Sequence, residues 1–206
     1  MFYNFFNKFF KGNIDNFFND LKIDKKIIFG FWIYIMSDCI IFATVFSVYF
    51  VMVKNISNGP SGKEFFNLHF VELETFFLLL SSLFFSIAVD FLKKYNINMV
   101  CLFLLFVFLL GLSFLLLEGY EFFLLSKKNY YPTCSGFLSV FYTLLFLHGF
   151  HVISGLIWII LMIFQIILIG INKTTNTRIL CLSIFWHFLD IIWIFVFTFV
   201  YLFGVI

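Results

Sequence analysis

Five apolar runs, at about 27–53, 73–92, 99–117, 137–171 and 179–203, govern what this chain can fold into. Each reaches or approaches the ~20 residues that a helix needs to span ~30 Å of hydrocarbon. Lipid offers no partner to a free backbone amide, so such runs cross as helices. Only 12% of the residues are charged and the mean hydropathy is +1.08, whereas a soluble domain carries about a quarter charged residues. The expected fold is all-α: a polytopic bundle of five transmembrane helices over 27–206, preceded by a polar N-terminal arm, 1–26.

Basic residues set the expected orientation. Lys8, Lys11, Lys22, Lys25, Lys26, Lys93, Lys94, Lys173 and Arg178 fall on one side of the bundle. They outnumber Lys54, Lys63, Lys127 and Lys128 on the other. The positive-inside rule then places the N-terminus in the cytoplasm and the C-terminus outside. The arm shows no small-residue cleavage site, so it does not read as a signal peptide. Its Phe2, Phe5, Phe6, Phe9 and Phe10 recur at helical spacing between lysines, which fits a surface helix on an anionic membrane or an irregular tail equally well. A net charge of +2 gives no case for nucleic acid. The 37 phenylalanines beside a single arginine look like the codon bias of an AT-rich genome, so individual Phe residues carry little functional weight. Cys39, Cys101, Cys134 and Cys181 are scattered and form no C-x-x-C pair, hence no zinc or disulfide framework.

Ionisable groups inside the apolar runs demand more explanation. An aspartate at a helix centre costs about 2.5–3.5 kcal/mol on insertion scales. At ~1.5 Å per residue, Asp38, His148 and Asp190 come to similar heights near the midplane. His151 is one turn from His148, and His187 one turn from Asp190. The preferred reading is a polar cluster of His148, His151, His187 and Asp190 that fixes helix packing, with Gly149, Ser154 and Gly155 admitting a close neighbour. Two sharper readings stand beside it. A b-type haem could use histidines from facing helices, and an ion or proton transporter could use Asp38 and Asp190. Glu72, Glu74, Asp90, Glu118 and Glu121 fall at or near the ends of the runs, where they read as groups that reach water. Glu118 and Glu121, at the outer end of the third helix, read as rim or subunit contacts. His69 reads as an outer-loop residue.

Six stretches in order resemble subunit III of the haem–copper oxidases, most closely that of bo-type ubiquinol oxidases. They are Phe29-Gly30-Phe31-Trp32-Ile33-Tyr34 with Met36-Ser37-Asp38-Cys39; Val71-Glu72-Leu73-Glu74-Thr75-Phe76 leading to Ser81-Ser82; and Glu118-Gly119-Tyr120-Glu121. Ser135-Gly136-Phe137-Leu138-Ser139 and His148-Gly149-Phe150-His151-Val152-Ile153-Ser154-Gly155 follow. The last is Asn176-Thr177-Arg178-Ile179 through Trp186-His187-Phe188-Leu189-Asp190-Ile191-Ile192-Trp193. Five helices match the short version of the subunit.

The resemblance implies a non-catalytic chain with no haem or copper of its own, in a bacterial inner membrane. Subunit I would hold the haems and copper, oxidise ubiquinol, reduce dioxygen to water and pump protons. This chain would pack directly against subunit I, alongside other subunits and phospholipids, and support assembly, stability and proton supply. Glu118, Glu121, His148, His151, His187 and Asp190 would form its polar interior. Asp38 stands where the cytochrome c oxidase relatives carry an intramembrane glutamate, which makes it a candidate proton-related or lipid-adjacent acid.

Overall fold

A computed structural model describes residues 25–53 and 68–202. Five helices follow one another: α1 (Lys25–Met52), α2 (Leu68–Lys93), α3 (Ile97–Lys127), α4 (Gly136–Ile169) and α5 (Lys173–Val196). The last continues as a π-helical turn, Phe197–Leu202. All five are long and apolar enough to cross a membrane. Nearly all of the N-terminal arm lies outside the described residues.

Three helices overrun their apolar stretches. α2 begins at Leu68 rather than near 73, so the backbone at His69 belongs to its first turn and not to a loop. α3 continues to Lys127 rather than stopping near 117, which places Glu118 and Glu121 inside a helix. α5 starts at Lys173 instead of 179, because Thr175, Asn176 and Thr177 are buried against the end of α4. There the Arg178 guanidinium donates to Gln165 Oε1 at 2.8 Å, joining the two helices. In each case hydropathy falls at a charge or amide, yet packing carries the helix onward.

Each outer helix buries one seam. On α2 it is Val71, Glu74, Leu78, Ser81, Phe85, Ala88 and Leu92; on α3, Val100, Leu104, Val107, Gly111, Phe114, Glu118 and Leu125. On α4, Leu138, Leu145, Val152, Ile159 and Ile166 alternate with Phe141, His148, Gly155 and Met162. Steps of three and four residues keep such a seam on one face, as in left-handed helix packing. The other faces are apolar and exposed, as lipid or a partner chain requires.

α5 is different: 72% of its apolar window is buried, against 22–33% for the others. It packs against α1, α2 and α4, and its Trp186 reaches α3 at Gly111. Short connections force antiparallel neighbours at α2–α3 and α4–α5. The latter turn is possible because Gly170 adopts φ +78°, a conformation that side chains resist. Phe84 and Phe91 of α2 stack on Phe103 of α3, at 6.1 and 5.3 Å, locking that hairpin.

Candidate functional site: a buried polar interior

The seams deliver ionisable side chains into the bundle because those residues occupy seam positions. Asp38 continues the α1 series Ile28, Ile35, Phe42 and Tyr49, and Glu74, Glu118 and His148 do the same on their helices. Four settings result, linked through α4 and α5.

His148 is fully buried, with its Nε2 donating to the Leu189 carbonyl of α5 at 3.4 Å. Its ring lies 5.1 Å from Trp193 and edge-on to Phe114 at 5.7 Å. Trp193 in turn donates its indole N–H to Thr75 Oγ1 of α2 at 3.0 Å. Four helices thus meet around one imidazole, and its Nδ1 has no hydrogen-bond partner among the described residues.

Asp38 and His151 join α1 to α4, with Oδ2 and Nε2 3.9 Å apart. The opposite ring nitrogen, Nδ1, lies 2.7 Å from the Leu147 carbonyl and must donate to it. Nε2 is thereby turned toward Asp38, at a distance in ion-pair range but too long for a hydrogen bond, and Asp38 Oδ2 has no hydrogen-bond partner among the described residues. Phe42 and Phe185 pack beside the ring and exclude solvent.

His187 and Asp190 pair one turn apart on α5, Nδ1 to Oδ2 at 3.8 Å. His187 Nε2 meets Ser86 Oγ of α2 at 3.4 Å. Of the four residues read from the sequence as one cluster, His187 and Asp190 meet each other. His148 meets α5 at the Leu189 carbonyl and the Trp193 ring, and His151 turns to Asp38. Side chains one turn apart on α4 lean toward different neighbours, which divides the set.

The acids of α2 and α3 form the fourth setting. Glu74 is fully buried and Glu118 is 3% exposed, so these two do not reach water as their place near the ends of apolar runs suggests. Glu121 accepts a 2.8 Å hydrogen bond from the hydroxyl of Tyr201. Glu74 faces both Glu118 and Glu121. Glu118 lies against Gly149, where a Cβ would come within 3.0 Å of its Oε2. The π-helical turn positions Tyr201. Its wider winding rotates the tyrosine toward the side of α5 occupied by Trp193, leaving the two ring centroids 6.4 Å apart.

Sequence reasoning placed Glu74 at the water and gave Ser81, Trp186 and Tyr201 no role of their own. The first three have a readable signal, since Glu74 and Ser81 fall on the three-four alternation of α2 and Trp186 lies one helical turn before Asp190. Tyr201 has none, because it depends on the π turn. Among the described residues, no three of His, Cys, Asp and Glu converge as a metal-ligand set.

A family model described as cytochrome c oxidase subunit III matches residues 5–205. The chain is 51% identical over 187 residues to a protein of Buchnera aphidicola subsp. Baizongia pistaciae named cytochrome bo(3) ubiquinol oxidase subunit 3, covering 91% of this chain and 96% of that one. A Pseudomonas putida protein of the same name is 48% identical, with 88% of each chain covered. A cytochrome c oxidase subunit 3 from Bacillus sp. (strain PS3) is 35% identical, again over 88% of each.

Proposed function

The chain belongs to the cytochrome c oxidase subunit III family, and from that premise we propose that it is the non-catalytic subunit III of a bo-type ubiquinol oxidase. The observation that carries this reading is the 51% identity, over nearly the whole of both chains, to a protein named as that subunit. The relatives' names speak for a subunit and not for a free-standing b-type haem protein or ion transporter.

In this reading subunit I is the direct partner and holds the haems and copper. There ubiquinol is oxidised, dioxygen is reduced to water and protons are pumped. The present chain supports assembly, stability and proton supply, in a bacterial cytoplasmic membrane with the N-terminus inside and the C-terminus in the periplasm. Other oxidase subunits and phospholipids cover its remaining apolar faces. His148, His151, His187 and Asp190 serve as assembly elements, the three histidines tying one helix to another and Asp190 pairing with His187. What supports this role is that three of them reach across helices: His148 to α5, His151 to α1 and His187 to α2.

Co-purification tests the proposal. An affinity-tagged copy expressed in its native membrane is expected to bring down a haem-bearing partner that oxidises ubiquinol. A tagged chain that purifies alone, free of haem and of quinol oxidase activity, overturns it. A stoichiometric haem band on the isolated chain, lost in His148→Ala, would favour the b-type cytochrome instead.

A further inference from the structure

Where α2 begins and α3 ends, a crevice of about 170 Å³ runs between the helices. Phe70, Tyr120, Leu124 and Lys128 border it, and Glu121 forms part of its wall. Glu121 is the acid that lines it, and two more, Glu74 and Glu118, lie on the adjoining buried seams with little or no exposure. Among the described residues, neither carboxyl oxygen of Glu74 has a hydrogen-bond partner, nor has Glu118 Oε1. A buried oxygen left in that condition costs about 1–3 kcal/mol, and natural interiors meet the cost with bound water. Glu74 comes from α2, a different helix from the Glu118–Glu121 pair, and faces both of them.

The walls of this group carry further titratable side chains. Tyr201, in the π-helical turn after α5, faces all three acids and donates to Glu121. Tyr142 of α4 faces Glu121. His148 of α4 adjoins Gly149, against which Glu118 packs, and its Nδ1 lacks a hydrogen-bond partner among the described residues. Carboxylates that interact in a low dielectric repel, which favours protons shared among the three acids.

We propose that Glu74, Glu118 and Glu121, capped by Tyr201 and opening past Lys128, form a hydrated proton-holding site whose ligand is water carrying exchangeable protons. Loading balances simply: an O–H bond of hydronium in the crevice breaks, an O–H bond to a carboxylate oxygen forms, and neutral water remains. Bound water passes the proton between Glu121 and the other two acids. The inference rests on this chain's own side chains and stands whether or not the subunit assignment does.

Infrared difference spectra of the full chain in its native complex, recorded between mildly acidic and mildly alkaline pH, test it. The protonated-carboxyl carbonyl band is expected to grow in acid and to shift in D2O. Glu74→Gln and Glu121→Gln should each remove one carboxyl's share, and Tyr201→Phe should move the band without removing it. An unchanged band in both glutamine variants, or a band indifferent to pH, overturns the proposal. So does a band abolished at constant pH by sodium or calcium, which would mark a cation site. Should the glutamine variants fail to accumulate, Leu124→Trp narrows the crevice and leaves the acids intact. Severalfold slower D2O exchange of the band is then expected, and exchange at the wild-type rate overturns the proposal.

Discussion

Trp186 donates its indole N–H to the hydroxyl of Ser81 across 2.9 Å, with both side chains buried, and so pins α5 to α2. Ser81→Ala leaves that N–H without its partner. In water-soluble cores the loss costs about 1–3 kcal/mol, but interhelical hydrogen bonds in membranes average only ~0.6 kcal/mol. Full burial of this pair places the expected loss near the upper membrane value, about 1.7 kcal/mol. Thermal unfolding of the detergent-solubilised protein measures it; a midpoint identical to wild type would show that the bond is dispensable.

The same indole sets a steric limit on α3. A Cβ at Gly111 would stand 2.8 Å from Trp186 Cη2 and 2.9 Å from Leu156 Cδ2, whereas one at Gly119 meets nothing within 4 Å. Gly155 is intermediate, at 3.0 Å from the indole and 3.2 Å from Phe185. Overpacking typically costs about 1–3 kcal/mol. Gly111→Ala is therefore expected to lose most stability, Gly155→Ala less, and Gly119→Ala almost none. Equal behaviour of the three in the same unfolding measurement would refute the packing scheme.

At Asp38 the geometry distinguishes two substitutions. With Nδ1 committed to Leu147, His151 Nε2 faces Asp38 Oδ2 at 3.9 Å, in ion-pair range but too long for a hydrogen bond. Asparagine keeps the volume and a polar group at that place, and alanine keeps neither. Asp38→Asn is expected to stay within about 1 kcal/mol of wild type, and Asp38→Ala to cost roughly 1–3 kcal/mol by emptying a buried position on the α1 seam. The yield of assembled complex from membranes reports both. Wild-type yield from the alanine variant would mean that the pair does not fasten α1 to α4.

How much of this was legible beforehand differs by residue. The five crossings follow from apolar length alone, since lipid leaves the backbone few other options. Helix ends were not legible, because hydropathy falls at Glu118 while the helix carries that residue on its buried seam to Lys127. Glu72 and Glu74 look equivalent in composition; only the three-four alternation of Val71, Leu78 and Phe85 shows that the second is interior. The sequence places Asp38 at one height with His148, with His151 a turn away, but the meeting of Asp38 and His151 depends on α1 lying beside α4. That adjacency is a property of assembled helices and leaves no mark on either one.

Gly149 tests whether Glu118 is held firmly. A Cβ there would come within 3.0 Å of Oε2 and 3.3 Å of Oε1, a tight approach to the end of a flexible side chain. A groove of about 240 Å³ between α3 and α4, lined by Leu115, Glu118, Gly149 and Phe150, gives the carboxyl room to withdraw. Gly149→Ala is therefore expected to cost less than Gly155→Ala, whose neighbours are rigid aromatic rings: about 1 kcal/mol, at the low end of overpacking. Truncating Glu118 to alanine removes the steric conflict but also empties a buried seam position. The two substitutions should couple, with the double variant less destabilised than the sum of the singles by about 0.5 kcal/mol or more. Strict additivity in a double-mutant cycle of unfolding midpoints would mean that the carboxyl already lies clear of Gly149, displaced into the groove.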